Sequence, residues 1–298
     1  MKIKLGIAPI AWSNDDMPEL GGDTPIEVCL SEAKQAGYTG IELGGKFPRN
    51  VGAINYLLKK YNLCLPGGWY GSLLRKRTVK EEWERMQDQI NLLEKTNSDV
   101  FVFADISDSI QGQSKTPLTQ RPKLNNNEWK EYGKKISEIS KKLHDIGLPM
   151  TFHQHMGTII QSEKDIVRLI ENTDDKMGLL FDTGHILFAE GNYLDICRKY
   201  INRINHVHCK DIRRNILDES LKKDKSFRDS FLDGVFTVPG DGCIDYEPII
   251  KILKENNYKD LLIVEAEQDP VKANPLKYAK IGFNYLEKVV RNCEYEIS

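Results

Sequence analysis

Several things are scarce in this sequence, and each shortage excludes a class of protein. No apolar run in its 298 residues approaches the roughly 18 consecutive positions that a membrane helix needs, so no bilayer span is expected. Basic charge is not in excess: 42 Lys and Arg face 44 Asp and Glu, a net charge of −2. The isoelectric point is about 6.3. Nucleic acid and acidic membrane surfaces are therefore not expected as partners. The six cysteines (Cys29, Cys64, Cys197, Cys209, Cys243, Cys293) are scattered, with no C-x-x-C pair. The opening "MKIKLGIAPIAW" has too short an apolar run for a signal peptide and no cleavage signature. A reduced, cytoplasmic setting without disulfides is the expectation. There is no low-complexity stretch and no linker. The basic stretch from Lys210 to Arg228 is interleaved with Asp and Glu and reads as a solvated loop.

What the sequence does have is alternation. Short apolar runs over 3–9, 39–45, 63–69, 99–105, 149–155, 177–183, 204–210 and 261–267 predict eight strands. Between and after them, apolar residues recur at i, i+3, i+4 spacing, as in Ile249, Ile250 and Leu253. This spacing predicts helices near 24–37, 50–61, 78–96, 126–147, 162–173, 191–201, 245–257 and 274–292. "TPIE" offers Thr24 as N-cap, Pro25 at the first helical position and Glu27 to close a capping box. Ser162 and Asp245 are further N-cap candidates, and Gly37 and Gly147 sit where helices end. Strict strand–helix alternation implies parallel strands with right-handed crossovers. Eight units point to a single (β/α)8 TIM barrel over 1–298. The rival, an open doubly wound sheet, usually carries a glycine-rich phosphate loop after its first strand, and "APIAWSNDD" is not one. Two long connections, 106–126 and 211–244, follow strands and so belong to the top face, where barrel loops shape an active site.

The ends of four predicted strands are chemically odd. "MTFHQH", "LLFDTGH", "INHVHCKD" and "LLIVEAEQD" place ionisable residues where apolar ones would pack best. Residues i and i+2 of a strand face one side. That pairs His153 with His155, His206 with His208, and Glu265 with Glu267; Asp182 stands alone, with His185 just beyond the turn. Five of the six histidines fall in this set; His144 is on a predicted helix. Unpaired buried carboxylates are costly because they lose hydration, and a divalent cation between them removes the penalty. His, Asp and Glu together suit Mn, Fe, Co or Zn. Each residue also has a plainer reading. A strand-end histidine commonly serves as a hydrogen-bonding group, an Asp before Thr-Gly is turn chemistry, and Glu265 and Glu267 can pair with lysines. Elsewhere, Glu42 precedes Gly44-Gly45, whose backbone can approach a ligand closely. Trp12 and Trp69 follow strands and either wall a pocket or pack the rim. Lys210 either neutralises developing charge or pairs with Asp211.

"FDTGH", "HVHCKD" and "IVEAE" resemble the xylose-isomerase-like family of metal-dependent barrels, which includes sugar isomerases, epimerases, dehydratases and endonuclease IV nucleases. "GIAPIAWSNDDMPELGG", "GYTGIELGGKFP" and "FHQHMGT" are similar to its inosose dehydratases, which act in inositol catabolism. The resemblance implies four metal ligands from four strand ends, typically Glu, Asp, His and Glu. Asp182, His208 and Glu265 match the last three. His153 stands where the first Glu is expected, so His153, His155 or water completes the set. An ion such as Mn2+ or Co2+ is implied, and no nicotinamide, because eliminating water from 2-keto-myo-inositol to a trihydroxycyclohexane dione changes no net oxidation state. Glu267, His155, Lys210 and Glu42 qualify by type as catalytic groups, and Trp12, His185 and Trp69 as substrate-binding ones. The expected partner is a small cyclitol or sugar, with homo-oligomers common among barrels of this size. A metal-dependent sugar isomerase or epimerase of the same family is the nearest alternative. A nuclease is disfavoured by the charge balance, and an inactive sensor barrel by the retained ligand-type residues.

Overall fold

Strand–helix alternation becomes a parallel sheet curled around its own core in the computed structural model, which describes residues 1–297. The barrel strands are β1 (Lys2–Ile7), β2 (Gly40–Ile41), β3 (Trp69–Ser72), β4 (Phe101–Asp105), β5 (Met150–His153), β6 (Gly178–Asp182), β7 (Ile204–Cys209) and β8 (Leu261–Val264). β1 pairs in parallel with both β2 and β8, and the ladder runs on from β8 through β7, β6, β5 and β4 to β3. Between β2 and β3 the ring closes through two parallel bridges, Gly40 with Cys64 and Leu43 with Gly68.

The third strand lies later than its apolar run predicts, at 69–72 instead of 63–69. Pro66 lies within that run and has no N–H for a ladder, so the pairing there reduces to isolated bridges. Gly68 lets the chains come together, since a Cβ on it would lie 2.6 Å from that of Leu43. β4, β5, β6 and β8 are buried at every position, as expected of strands covered by the barrel core inside and helices outside.

All eight predicted helices form, and their ends follow the expected chemistry with one exception. Ser162 accepts from the backbone N–H of Asp165 in a complete capping box, and Asp245 accepts from that of Glu247. Gly37 ends the first helix at φ 113°, a conformation that favours glycine. The exception is Thr24. The helix runs over Ile26–Ala36 with Pro25 in the cap position and no side-chain cap hydrogen bond. The extended ψ of Pro25, 148°, starts the helix one residue late and puts Thr24 outside it.

The segment after β7 is not a solvated loop. It forms a hairpin of Asp211–Ile212 with Phe236–Thr237, and two helices, Arg214–Lys222 and Phe227–Leu232. Its charged residues alternate with Leu217, Phe227, Phe231 and Phe236, which form a second apolar cluster with Met156 and Phe188. Fully burying each such side chain contributes about 1.5–3 kcal/mol, ample to hold a layer above the barrel. The connection 106–126 joins it: the N–H of Leu118 donates to the carbonyl of Lys225 (3.4 Å), and that of Lys115 to Asp229 (3.2 Å). The two long connections thus make one roof. Among the described residues, no helix is long and apolar enough to cross a membrane.

Asp211 pins this roof to the barrel. Its buried carboxylate accepts from the backbone N–H groups of Ile212 (2.8 Å), Ile244 (2.9 Å) and Gly240 (3.2 Å). Each buried donor left without an acceptor costs about 1–3 kcal/mol. Asp211→Ala is therefore expected to lower the melting temperature by roughly 10 °C. Limited proteolysis of that variant should cut within 213–243 while the helical circular dichroism persists. An unchanged digestion pattern and melting point would show that the carboxylate is not the anchor.

Candidate metal centre and active site

Four strand ends deliver four ligand-type groups to one point. His153 ends β5, Asp182 ends β6, His208 lies one residue from the end of β7, and Glu265 follows β8. Asp182 and His208 are direct partners in the β6–β7 ladder. Asp182 Oδ1 caps the short helix Thr183–Phe188 by accepting from the His185 N–H (2.8 Å), which leaves Oδ2 for the cluster. Oδ2 lies 3.4 Å from His153 Nε2 and 3.7 Å from His208 Nδ1; Glu265 Oε2 lies 3.0 Å from the same His208 nitrogen. One donor atom from each of the four residues lies within 4.8 Å of all the others. Ligand atoms bound at about 2.1 Å to one ion, at tetrahedral or octahedral angles, stand roughly 3.0–3.4 Å apart. The donor types and most of the spacings fit a divalent transition ion. His153 Nδ1, the ring nitrogen that does not face Asp182, is buried without a hydrogen-bond partner.

The electrostatics agree with that fit. Burial, then the neighbouring His208 charge, holds His153 down to about 4, so its ring is neutral and able to ligate near pH 7. Burial works against ionising Asp182, yet Lys210, His153 and His208 hold its carboxyl well below the usual range. The same balance, led on the favourable side by Lys210 and His208, keeps Glu265 ionised. His208 is pushed well above its ordinary value despite burial, by Glu42, Glu265 and Asp182 around it. A proton on His208 does there what a metal cation would do.

Two carboxylate–histidine pairs flank the cluster. Glu42 Oε1 lies 2.7 Å from His206 Nε2 and 3.2 Å from His208 Nε2. Burial opposes its ionisation, but the two histidines bring its carboxyl down to about 2. Glu267 Oε1 lies 3.5 Å from His155 Nε2, while His155 Nδ1 donates to the Met156 carbonyl (3.0 Å). Burial lowers His155, but the Glu267 bond outweighs it and raises the imidazole above its ordinary value. A cavity at the cluster is lined by Glu42, His153, His155, His208, Glu265 and Glu267. Trp69 is 38% exposed on its rim, its ring 5.3 Å from His153 and 5.5 Å from His155.

The remaining candidates lie elsewhere. Trp12 is 1% exposed, packs in the main core and donates its indole N–H to Glu32 (2.6 Å); it is not part of the cavity wall. His185 and Lys210 are fully buried behind the lining. Phe236 covers both, its ring centroid 5.3 Å from that of His185 and 4.7 Å from Lys210 Nζ. Burial and the nearby positive charge of Lys210 keep His185 well below its ordinary value. Asp15 and Asp16 line the cavity as well, and sequence reasoning passed over them. Their signal was "SNDD" directly after the first strand. Phe227 and Phe236 carried none, because they come from a loop whose charge masked its apolar residues.

Residues 30–289 match the Xylose isomerase-like TIM barrel family, and the chain belongs to it. The Rhizopine catabolism protein MocC of Rhizobium meliloti is 43% identical over 298 residues, covering 100% of this chain and 92% of that protein. An inosose dehydratase of Clostridium perfringens is 40% identical over 289 residues, covering 96% of this chain and 97% of that one. One from Bacillus velezensis is 38% identical over 286 residues, covering 96% of both. Among solved structures, an L-ribulose 3-epimerase superposes with a TM-score of 0.68 at 15% identity, over 98% of this chain and 96% of that chain. The probable 3-DHS dehydratase AsbF of Bacillus anthracis gives 0.69 at 14%, over 96% and 99%. At such identities the two structures speak for the fold alone.

Gly184 tests the packing behind the cluster. A Cβ there would lie 2.6 Å from Lys210 Cγ, and that side chain has no free space to move into. Overpacking a filled interior costs about 1–3 kcal/mol. Gly184→Ala is expected to lower the melting temperature by several degrees, whereas an unchanged transition would mean that Lys210 is loosely held.

Proposed function

We propose that the protein is a metal-dependent dehydratase that removes water from 2-keto-myo-inositol, giving a trihydroxycyclohexane dione. The observation that carries this reading is the buried quartet of His153, Asp182, His208 and Glu265 under a cavity flanked by two carboxylate–histidine pairs. The near-full-length likeness to proteins named inosose dehydratase supports the substrate. His153, Asp182, His208 and Glu265 would hold the ion, Mn2+ or Co2+, through two imidazoles and two carboxylates. Such an ion would supply a Lewis acid beside the substrate ketone.

The chain itself handles the protons. Glu42 reaches the cavity oriented by His206; once His208 gives up its proton, Glu42 loses the charge that does most to hold its carboxyl down, and it takes the proton α to the ketone. His155, raised above its ordinary value by Glu267 3.5 Å away, gives a proton to the departing β-hydroxyl. The carbon–oxygen bond breaks, water leaves, and Glu42 and His155 return to their starting states by exchange with solvent. Such a positioned acid–base pair is worth about 10²–10⁴-fold. Trp69 forms the cavity wall beside the two histidines. Phe227 of the roof packs against His155, with ring centroids 5.1 Å apart, and helps to fix that imidazole.

Incubation with 2-keto-myo-inositol should produce the ultraviolet absorbance of the conjugated dione. Interconversion of free ketoses without that signal would move the assignment to an isomerase or epimerase of the same family. Exhaustive chelation, Asp182→Ala and His208→Ala should each remove the ion and cut turnover by at least about 10³-fold. Full activity in the chelated protein would end the metal reading.

A pH effect follows from His208. Its raised value makes it an imidazolium at pH 7 in metal-free protein, whereas a ligand must be neutral. Metal uptake should therefore release about one proton, and apparent affinity should climb about tenfold per pH unit until pH passes that raised value. The stability that protonated His208 gives the metal-free fold is complete below its ordinary value of 6.5 and is lost as pH rises through the folded value. Calorimetry in buffers of different ionisation enthalpy counts the proton; zero release would remove His208 from the ligand set.

A further inference from the structure

A second group of donors lies beside the first. His155, His185 and Glu267 are buried and bring one ligand-type atom each within 4.8 Å of the others. His185 Nδ1 is buried with no hydrogen-bond partner. By donor type and spacing this trio could hold a divalent ion of its own. What lies against it instead is Lys210. Its ammonium is 2.9 Å from His185 Nε2 and 3.4 Å from Glu267 Oε2, and it also touches the quartet, 2.9 Å from Glu265 Oε2 and 3.7 Å from Asp182 Oδ2. The side chain is fully buried, and its stem fills the space that Gly184 leaves by lacking a Cβ. The Thr183 hydroxyl donates to the Lys210 carbonyl (2.8 Å) and lies 3.1 Å from its backbone nitrogen, which fixes the main chain. The ammonium faces the ring of Phe236 and does not line the cavity, so it has no access to substrate.

We infer that Lys210 is the built-in counter-cation of this second cluster: its ammonium takes the place of a second divalent ion, balances Glu265, Glu267 and Asp182, and limits each chain to one metal ion. The ammonium sits 2.9 Å from His185 Nε2 and 3.4 Å from Glu267 Oε2, in the space a second ion would need, whereas in the quartet it touches carboxylate oxygens only and leaves both imidazoles to the first ion. Lys210 is thus a positioning residue. It aims Glu265 at the quartet and Glu267 at His155. The inference rests on the reading that the quartet binds the ion.

The test is a metal count on the full-length protein reconstituted with Co2+, by elemental analysis and by the visible absorption of bound cobalt, alongside melting of the metal-free forms. Wild type should hold one ion per chain. Lys210→Met should hold two, with a new cobalt band, and Lys210→Met/Glu267→Gln should return to one. Metal-free Lys210→Met should melt roughly 10 °C lower, because its carboxylates are left unpaired, and the double variant should recover part of that loss. Two ions in wild type would overturn the inference. So would one ion in Lys210→Met with wild-type melting. If Lys210→Met does not fold, a folded double variant holding one ion supports the charge-balance account. Failure of both variants to fold would assign Lys210 to packing and refute that account. No ion in wild type at all would instead sink the reading of the quartet.

Discussion

Negative charge is gathered at the mouth of the barrel with little exposure to water, and the surrounding architecture answers that one constraint. Glu42, Asp182, Glu265 and Glu267 all have their carboxylates in a buried layer. Left alone, such a layer would protonate or unfold the site. It is held by positive charge from two directions: imidazoles from β5 and β7 within the layer, and Lys210 behind it. The steep displacement of several ionisation equilibria expresses this crowding, and it is the kind of perturbation that active sites concentrate.

The fold supplies the precision this arrangement needs. In-register pairing of β6 and β7 sets Asp182 beside His208. The divided use of the Asp182 carboxylate, one oxygen capping a helix and the other facing the quartet, ties ligand orientation to a backbone hydrogen bond. Loops alone would give neither. Above this floor the roof is an assembly of its own, with its own apolar cluster, joined to the barrel through the Asp211 staple and by aromatic rings resting on His155 and His185.

Much of this was legible in the residues. Alternating apolar runs specified the eight barrel strands and the helices between them, because both periodicities follow from backbone geometry. The i, i+2 pairs at strand ends marked the site, because alternation forces such residues onto one face. What escaped notice depended on contacts distant in sequence. The slip of the third strand turns on Pro66 and on Gly68 meeting Leu43, which no local pattern encodes. Trp12 was read toward the pocket, but Glu32 on the following helix holds its indole in the core. Lys210 lay in the most informative motif, yet its depth behind Phe236 comes from the hairpin that a basic, mixed-charge segment conceals.

The floor and the roof are written in different parts of the chain. The floor uses terminal residues of strands that the barrel cannot do without; the roof uses two long connections, 106–126 and 211–244, which contribute no strand to the barrel ladder. The lining of the cavity is therefore inherited with the barrel and not with the roof. Exchanging the roof for that of another barrel would leave the cavity lining of Glu42, Trp69, His153 and Glu265 in place, because those residues belong to the barrel strands and the turns that follow them.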